Sequence, residues 1–351
     1  MLYKKFFYFF CFSLVMFISA CSNEPENPEN TSENNFSGRR GFFIINEGLF
    51  QQGNASIDFY DLDTKEVIHD VFFTANQRPL GDVAQSLNKV GNKIWIVVNN
   101  SGKIEIVKSK NFESIMTLTG FASPRYLLFH KNGKAYLSDL YKESLYVIDT
   151  LTGQTIKEIS TGKSCEYLIE AGSHIFALNW SSLNDSLNNT LTIIDGLADS
   201  VVKSVILTKE PNSAAIDKNG HIWILCSGGF FFEETPALYC MNPQGEILKK
   251  FEFSGNQTYP TRLCINPSHD TLFYLNKDVY RMGIMENDLP QLPFIQSNNK
   301  NFYGLNAGNF ILLSDPLDYQ QNGNVYVYSR KGQLLSTFQA GMVPSGFQWN
   351  E

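Results

Sequence analysis

Histidine is the side chain best suited to acid–base chemistry or metal binding, and this chain has five, none adjacent to another. His130 and His221 adjoin the turn sequences Asn132-Gly133 and Asn219-Gly220, so we expect both to be turn residues. A general base needs a group to activate, and the sequence pairs neither histidine with a carboxylate or a serine. The others are expected in a fourth strand, beside a buried strand residue and in a turn: His69, His174 and His269. We therefore predict no enzymatic activity, no cofactor and no metal site.

The cysteines add no metal or redox motif. Four lie within the part of the chain that is expected to fold, and no CxxC or Cys/His metal spacing occurs among them: Cys165, Cys226, Cys240 and Cys264. In an oxidising compartment they could pair in three ways. Cys226 and Cys240 flank one predicted hairpin, but the apolar residues beside them are equally consistent with buried free thiols. The sequence leaves both possibilities open.

Aromatic, amide and arginine side chains form the other set that could do chemistry, here the non-covalent recognition of a ligand. Rings bind apolar surface while amides and guanidinium groups supply hydrogen bonds. The candidates for stacking are Phe50, Tyr141, Trp180, Phe231, Tyr259, Tyr303 and Tyr319, and those for polar contacts are Arg78, Arg125, Arg262 and Asn179. The alternative for any single ring is that it packs down as a loop anchor. Three consecutive rings, Phe230–Phe232, cannot all point inward, so at least one is expected to be exposed.

The elements that must position these residues repeat seven times. Strand-like segments that follow a turn recur at separations of about 39 to 52 residues. Their central residues are Phe43, Trp95, Tyr136, Phe176, Trp223, Phe273 and Leu312. A small sheet cannot bury both of its faces alone, so such units stack on one another, and strands at this period form propeller blades. We predict an all-β, seven-bladed β-propeller of four-stranded antiparallel blades.

The two rims of the predicted propeller differ. Tight turns such as Asp149–Gly153 and Asn242–Gly245 join third to fourth strands, and they carry the Asp, Asn and Gly that such turns require. The loops between second and third strands and those between blades share the opposite rim. They are long and irregular, and they contain the candidate ligand residues. Because variable loops on a rigid scaffold commonly carry function, we expect a ligand on the long-loop rim.

The two ends of the propeller are expected to meet. The chain enters at Gly41 directly into a second strand, and the segment Pro344–Trp349 aligns with first strands such as Pro124–Phe129. The C-terminal segment would then form the innermost strand of the first blade. That pairing removes an exposed sheet edge.

The N-terminus has the pattern of an export signal. Lys4 and Lys5 precede an apolar stretch, and Ile18-Ser19-Ala20-Cys21 matches a lipobox. We expect residues 1–20 to be a signal peptide, Cys21 to be lipidated, residues 21–40 to be a disordered acidic tether and residues 41–351 to be the propeller. The alternative is an ordinary signal peptide in which Cys21 is not modified.

Charge narrows the choice of partners. The formal net charge of −7 becomes about −9 when Lys4 and Lys5 leave with the signal, since −7 − 2 = −9. An acidic chain is a poor partner for a polyanion, so nucleic acid is not expected as a ligand. Glu24, Glu26 and Glu29 follow Cys21 closely and resemble the surface-export signal of Bacteroidetes lipoproteins. We therefore expect a lipid-anchored protein of the outer membrane that faces the cell exterior.

The openings Phe42–Gly48 and Gly53–Ile57, together with the lipobox and the seven repeats, resemble the bacterial YVTN and YncE-like surface propellers. The resemblance covers residues 41–351 and rests on blade motifs. One branch of that group is similar in layout and consists of cobalamin-capturing lipoproteins that cap a TonB-dependent transporter. The resemblance implies a non-enzymatic protein that binds a corrinoid or a similar scarce nutrient and passes it to such a partner. Two alternatives stay open: an interaction or scaffold propeller without a small ligand, and a glycan-binding surface protein.

Overall fold

The computed structural model describes residues 35–180, 188–255 and 258–350 of the chain. These residues form seven antiparallel sheets that follow one another along the chain as blades. One short helix is present in this part of the chain, and it is not long enough to span a bilayer. The prediction of an all-β, seven-bladed propeller is confirmed.

Blade 1 begins with its second strand, because its first strand comes from the end of the chain, whereas blades 2 and 3 begin with their own first strands. Blade 1 contains β1 (Gly41–Asn46), β2 (Ser56–Asp61) and β3 (Val67–Ile68), followed by α1 (Val71–Asn76). Blade 2 contains β4 (Ala84–Val90), β5 (Lys93–Val98), β6 (Lys103–Lys108) and β7 (Ser114–Thr119). Blade 3 contains β8 (Pro124–His130), β9 (Lys134–Asp139), β10 (Ser144–Asp149) and β11 (Thr155–Ser160).

The other four blades continue the same meander. Blade 4 contains β12 (Leu168–Ala171), β13 (His174–Asn179), β14 (Thr190–Asp195) and β15 (Ser200–Ile206). Blade 5 contains β16 (Pro211–Ile216), β17 (Ile222–Cys226), β18 (Ala237–Met241) and β19 (Ile247–Glu252). Blade 6 contains β20 (Thr261–Ile265), β21 (Thr271–Asn276) and β22 (Asp278–Gly283). Blade 7 contains β23 (Leu305–Ala307), β24 (Ile311–Asp315), β25 (Asn322–Tyr328) and β26 (Leu334–Met342), and β27 (Pro344–Trp349) returns to blade 1.

The hydrophobic core lies between the blades. The second strands are buried on both faces, so they read as nearly continuous apolar runs instead of alternating ones. Trp95 on β5, for example, packs with Leu127, Ala135 and Leu137 of blade 3. The fourth strands are mostly exposed because only one neighbour covers them. Each blade is therefore stable only in contact with its neighbours, as the repeat predicts.

Ring closure follows the expected scheme. β27 pairs antiparallel with β1, and Trp349, Phe347 and Pro344 lie opposite Phe42, Ile44 and Asn46 in turn. The rings of Trp349 and Phe42 are in edge-to-face contact at 5.4 Å. The indole Nε1 of Trp349 also donates to Asn306 Oδ1 at 2.9 Å. The last strand of the chain thus completes the first blade.

Two details differ from the regular pattern. Blade 6 has three regular strands, and an isolated bridge between Val279 and Ile295 replaces the fourth. The folded body also begins before Gly41, because Phe36 is 1% exposed and packs against Phe43, Phe59 and Phe112. Its backbone N–H donates to Lys110 O at 2.7 Å. Residues 35–40 therefore belong to the propeller, while the expected signal peptide, Cys21 and the acidic patch lie outside the described residues.

Candidate functional site

The innermost strands share an irregularity near their start. Five of them shift register against the second strand at that point, as in β4 between Ala84 and Ser86 and in β20 between Thr261 and Cys264. In blades 4 and 7, one residue of the second strand forms backbone hydrogen bonds with two successive residues that come just before the innermost strand. In blade 7, Tyr303 N–H donates to Ser314 O, and Ser314 N–H donates to Gly304 O. Each irregularity is a β-bulge, which leaves one residue outside the regular pairing and redirects its side chain.

One residue per blade occupies this bulge position, and together we call them the axial ring. In blade order they are Ser345, Gln85, Arg125, Glu166, Asn212, Arg262 and Tyr303. Adjacent innermost strands contact one another all the way around the propeller. Hydrogen bonds also join ring members of neighbouring blades, as described below. The bulges therefore gather polar side chains from all seven blades around the propeller axis.

Arg125 is the best-satisfied member of the axial ring. Its Nε and Nη2 donate to the two carboxylate oxygens of Glu166, each at 2.6 Å. Its Nη1 donates to Gln85 Oε1 at 2.5 Å, and Gln85 Nε2 donates to Tyr126 Oη at 3.2 Å. Burial lowers the pKa of Arg125, but the charge and hydrogen bonds of Glu166 raise it more, so the net shift is upward. This bidentate pair links blades 2, 3 and 4 across the centre.

Arg262 is held differently. Its Nε donates to the backbone oxygen of Tyr303 at 3.0 Å, and its guanidinium carbon lies 5.0 Å from the centre of the Tyr303 ring. Within the described residues, its two terminal nitrogens have no hydrogen-bond partner. The backbone of Arg262 is in the left-handed region at φ 59°, which is strained for a residue with a β-carbon. Arg262 thus offers two free donor nitrogens, with four N–H groups, at the axis.

Glu47 faces the same space from the loop between β1 and β2. Tyr303 Oη donates to its two carboxylate oxygens at 3.1 and 3.3 Å. Burial raises the pKa of Glu47, and the nearby charge of Arg262 opposes that rise only in part. Burial likewise raises the pKa of Tyr303, with a further contribution from Glu47. Both groups therefore lie in a poorly solvated place close to a cation.

A second layer of phenols follows the axial ring by one residue. Tyr126 and Tyr167 succeed Arg125 and Glu166, and their rings meet edge to face at 5.2 Å. Burial raises the pKa of Tyr167 to about 12, so it remains a neutral donor at physiological pH. The centre of the propeller therefore combines two guanidinium groups, two carboxylates and three phenols.

Tyr259 comes shortly before β20 and bonds to a carboxylate that holds an exposed loop of blade 5. Its hydroxyl donates to Glu210 Oε2 at 2.6 Å. Glu210 also accepts from the Phe230 N–H at 2.9 Å, and the rings of Phe230 and Tyr259 lie 6.5 Å apart. The buried carboxylate of Glu210 thereby fixes the loop that carries Phe231, which is 79% exposed. The expected exposure within Phe230–Phe232 is observed.

The structure brings some of the predicted ligand residues together. Arg125, Arg262 and Tyr303 belong to the axial ring, and Tyr319 touches Tyr303 edge to face at 5.8 Å. Tyr259 instead bonds to Glu210 beside the loop that carries Phe230. Phe50, Tyr141 and Phe231 are exposed on the loops between second and third strands of blades 1, 3 and 5. They share the long-loop rim with the axial ring but have no contact with it in the described residues.

Three other candidates have structural contacts instead. Arg78 forms a bidentate pair with the buried Glu105 at 2.8 Å on the blade 2 sheet. Asn179 is buried and accepts hydrogen bonds from the hydroxyls of Thr190 and Thr192, both at 2.9 Å. Trp180 is half-buried, and its backbone oxygen accepts from Ser164 Oγ at 3.1 Å. We leave Arg78 and Asn179 out of the proposed ligand site.

Sequence reasoning missed seven residues of the centre: Glu47, Gln85, Tyr126, Glu166, Tyr167, Asn212 and Ser345. A signal for most of them exists. In four blades the ring residue follows Pro124, Pro211, Thr261 or Pro344, whereas Gln85 and Glu166 follow Ala84 and Cys165, so the position emerges only when the seven first strands are aligned. Glu47 has no such signal, because it lies on a loop of blade 1 outside the repeat.

The histidines need a correction. We expected no histidine to be paired with a carboxylate, but in three cases the ring nitrogen Nδ1 lies close to a carboxylate oxygen. The pairs are His69 with Asp58 at 3.2 Å, His130 with Glu170 at 3.1 Å and His221 with Asp217 at 3.4 Å. His130 is also the buried last residue of β8 and not a turn residue. The three pairs lie on different blades, and in the described residues no serine or cysteine bonds to these rings. No group of three or more His, Cys, Asp or Glu in that part of the chain is placed to hold a metal.

The four cysteines are free thiols. Burial raises the pKa of Cys165 and of Cys264 to about 12, and that of Cys240 to about 11. A thiol with such a pKa is almost entirely protonated at neutral pH and therefore a weak nucleophile. Of the two possibilities left by the sequence, the structure has the unpaired one.

A cavity of about 810 Å³ lies on the opposite, short-turn rim. Its lining includes Arg39, Arg40, Lys89, Lys110, Phe310 and Trp349. Arg39 lies 3.6 Å from Asp61, Arg40 pairs with Asp63, and Lys89 donates to Asn350 Oδ1 at 2.9 Å. The cavity is thus built from the segments where the chain enters and leaves the ring, and its polar groups serve that closure. We place the candidate site at the axial ring.

The fold and this centre define a class: a seven-bladed β-propeller whose bulged inner strands carry a charged polar ring at the axis. The chain belongs to the family described as "Domain of unknown function (DUF5074)", whose model matches residues 40–315. No match was found among curated proteins.

Solved structures share the fold at low identity. A quinoprotein alcohol dehydrogenase-like protein from Bacteroides thetaiotaomicron is 15% identical with a TM-score of 0.71, over 91% of this chain and 80% of that one. Virginiamycin B lyase from Staphylococcus aureus is 13% identical with a TM-score of 0.59, over 76% and 92%. AztD from Citrobacter koseri is 12% identical with a TM-score of 0.56, over 88% and 97%. Because one of these is named as a lyase, the fold does not decide whether this chain is an enzyme.

Proposed function

We propose that this protein is a non-enzymatic lipoprotein that captures a small nutrient at the axial ring. The observation that carries the proposal is the free end of Arg262 beside Glu47, at the centre of the rim with the long loops. Buried polar groups in native proteins are usually satisfied, so free donors at a shared centre are what a ligand site requires. The exposed rings of Phe50, Tyr141 and Phe231 would cover a bound ligand.

The best candidate for the nutrient is a corrinoid, with a TonB-dependent outer-membrane transporter as the partner that receives it. Two features of the sequence support this choice: the lipobox at Cys21 and the resemblance to surface propellers. A corrinoid carries many amide groups and a broad apolar ring, which match phenols, guanidinium groups and exposed aromatics. A lipid anchor on the outer membrane would place the protein beside such a transporter.

Calorimetry tests the proposal. The described propeller has its own core and closure, so the chain without its export signal can be titrated with cyanocobalamin and with a panel of oligosaccharides. We expect heat only with the corrinoid. No corrinoid binding below about 100 μM, near −5.5 kcal/mol, would remove this ligand. Heat with oligosaccharides alone would establish the glycan-binding alternative.

A second candidate function is protein interaction. It rests on Phe50, Tyr141 and Phe231, which are 65%, 68% and 79% exposed on three separate loops of one rim. Exposed aromatic groups of this kind mark protein-binding surfaces as often as ligand sites. Replacing Phe231 with Ser would then abolish assembly with a transporter while leaving the corrinoid heat unchanged. The capture proposal predicts weaker corrinoid binding in the same variant.

A further inference from the structure

The axial ring and Glu47 together are balanced in charge. Arg125 and Arg262 contribute two positive charges, and Glu47 and Glu166 contribute two negative ones. The side chains of Arg125 and Glu166 are only 15% and 9% exposed, and Glu47 and Arg262 are half-buried, so an uncompensated charge among them is costly. A ligand group with a net charge would upset this balance, whereas a neutral dipolar group would not.

The two charge pairs are built in different ways. Arg125 and Glu166 are joined directly by two hydrogen bonds of 2.6 Å, and the third side of Arg125 is taken by Gln85. All three nitrogens of Arg125 are thus engaged, with three of the five N–H groups of the guanidinium in use. Among the described residues, Arg262 and Glu47 form no direct ion pair, although each influences the charge of the other.

Arg262 and Glu47 therefore keep unused hydrogen-bonding capacity. The terminal nitrogens of Arg262 are pure donors, and none of them has a partner within the described residues. Glu47 accepts from the hydroxyl of Tyr303 and interacts with that of Ser345, and a carboxylate offers about four lone-pair positions. Tyr303 contacts both groups and keeps the guanidinium plane beside its ring. A ligand group in this space would therefore need an acceptor facing Arg262 and a donor facing Glu47.

We propose that the space between Arg262 and Glu47 is a subsite for a neutral primary carboxamide. Its oxygen accepts from Arg262, and its NH₂ donates to Glu47. A carboxylate in the same place would gain from Arg262 but be repelled by Glu47, and an ammonium group would meet the reverse situation. The inference deepens the proposed function and rests on it in taking the axial ring as the ligand site.

Small fragments test the subsite without any corrinoid. Ligand-observed NMR compares propionamide, propionate and propylammonium, which share a carbon chain and differ in charge. We expect the wild-type protein to prefer propionamide about tenfold, the factor of one hydrogen bond to a charged group. Glu47→Gln leaves a net positive charge at the centre and should shift the preference to propionate. Arg262→Gln should shift it to propylammonium. Arg330→Gln, which removes an exposed arginine of the short-turn rim, should change nothing.

Two results would overturn the inference. One is a wild-type preference for propionate, which would make the ring an anion site. The other is equal or absent binding of all three fragments. Melting curves of each variant show whether it is folded, and Arg262→Lys gives a second variant that keeps the charge and removes the fork of donors. Failure of corrinoid binding with an intact propionamide preference would reject the nutrient and keep the subsite.

Discussion

The pair between Arg125 and Glu166 gives the sharpest prediction about how the centre of the propeller is built. Replacing Arg125 with Met removes every donor to a carboxylate whose side chain is 9% exposed, while Arg125 itself is 15% exposed. Glu166 is then left buried without a partner. Breaking a buried ion pair on one side typically costs about 3–5 kcal/mol.

That free energy converts to a melting temperature. Unfolding entropy of about 2.1 cal/mol/K per residue gives roughly 0.65 kcal/mol/K for a propeller of residues 41–351. The Arg125→Met variant should therefore melt about 5 to 8 °C below the wild type. The double variant Arg125→Met/Glu166→Met removes both charges and should recover most of that loss, because it leaves no unpaired charge.

Differential scanning calorimetry of the wild type, both single variants and the double variant completes the cycle. A cost below about 1 kcal/mol for Arg125→Met would contradict the assignment of this pair to the structural frame. So would a double variant that is no more stable than the single ones. Either result would mean that water already screens the pair and that Arg125 is available to a ligand.

Three further predictions concern the rest of the fold. Trp349→Ala removes the edge-to-face contact between the closing strand and Phe42. Because Trp349 is only partly buried, we expect a melting temperature lower by about 3 to 6 °C. An unchanged melting temperature would exclude the closure scheme. Burial raises the pKa of Glu105, but hydrogen bonds led by Arg78 outweigh it, and the net pKa is lowered. The stability from this pair is present above the unfolded pKa near 4.3 and is lost as the pH falls through the lower folded pKa, so the cost of Arg78→Gln in urea titrations should be constant above about pH 5 and shrink below about pH 4. The Cys165 thiol, with a pKa of about 12, should not react with a disulfide reagent at pH 8 until the protein unfolds, and rapid native labelling would contradict its burial.

The fold could be predicted from the sequence because its signals are local. Trp95, Tyr136 and Trp223 recur at a fixed distance from turn residues, and such short-range patterns determine blades one at a time. The closure by β27 followed from the same alignment. The folded start at Phe36 did not, since one buried ring in a polar segment resembles a tether in composition.

The centre could be predicted only in part, because side-chain partners are set by contacts between blades. Arg78 and Arg262 look alike in sequence, as single arginines between blades. Only the structure shows that one is engaged by a bidentate pair with Glu105 while the other has free donors. The bulges add a second difficulty, since one extra residue changes which side chain points to the axis.

The affinity for cyanocobalamin in the wild type and in Arg262→Gln tests the central claim most directly. If the axial ring holds the ligand, the dissociation constant should rise at least about tenfold in Arg262→Gln, the loss expected for a hydrogen bond to a charged group. The exposed control Arg330→Gln should bind like the wild type. Equal affinities in the wild type and Arg262→Gln would contradict the account and place any ligand elsewhere on the propeller.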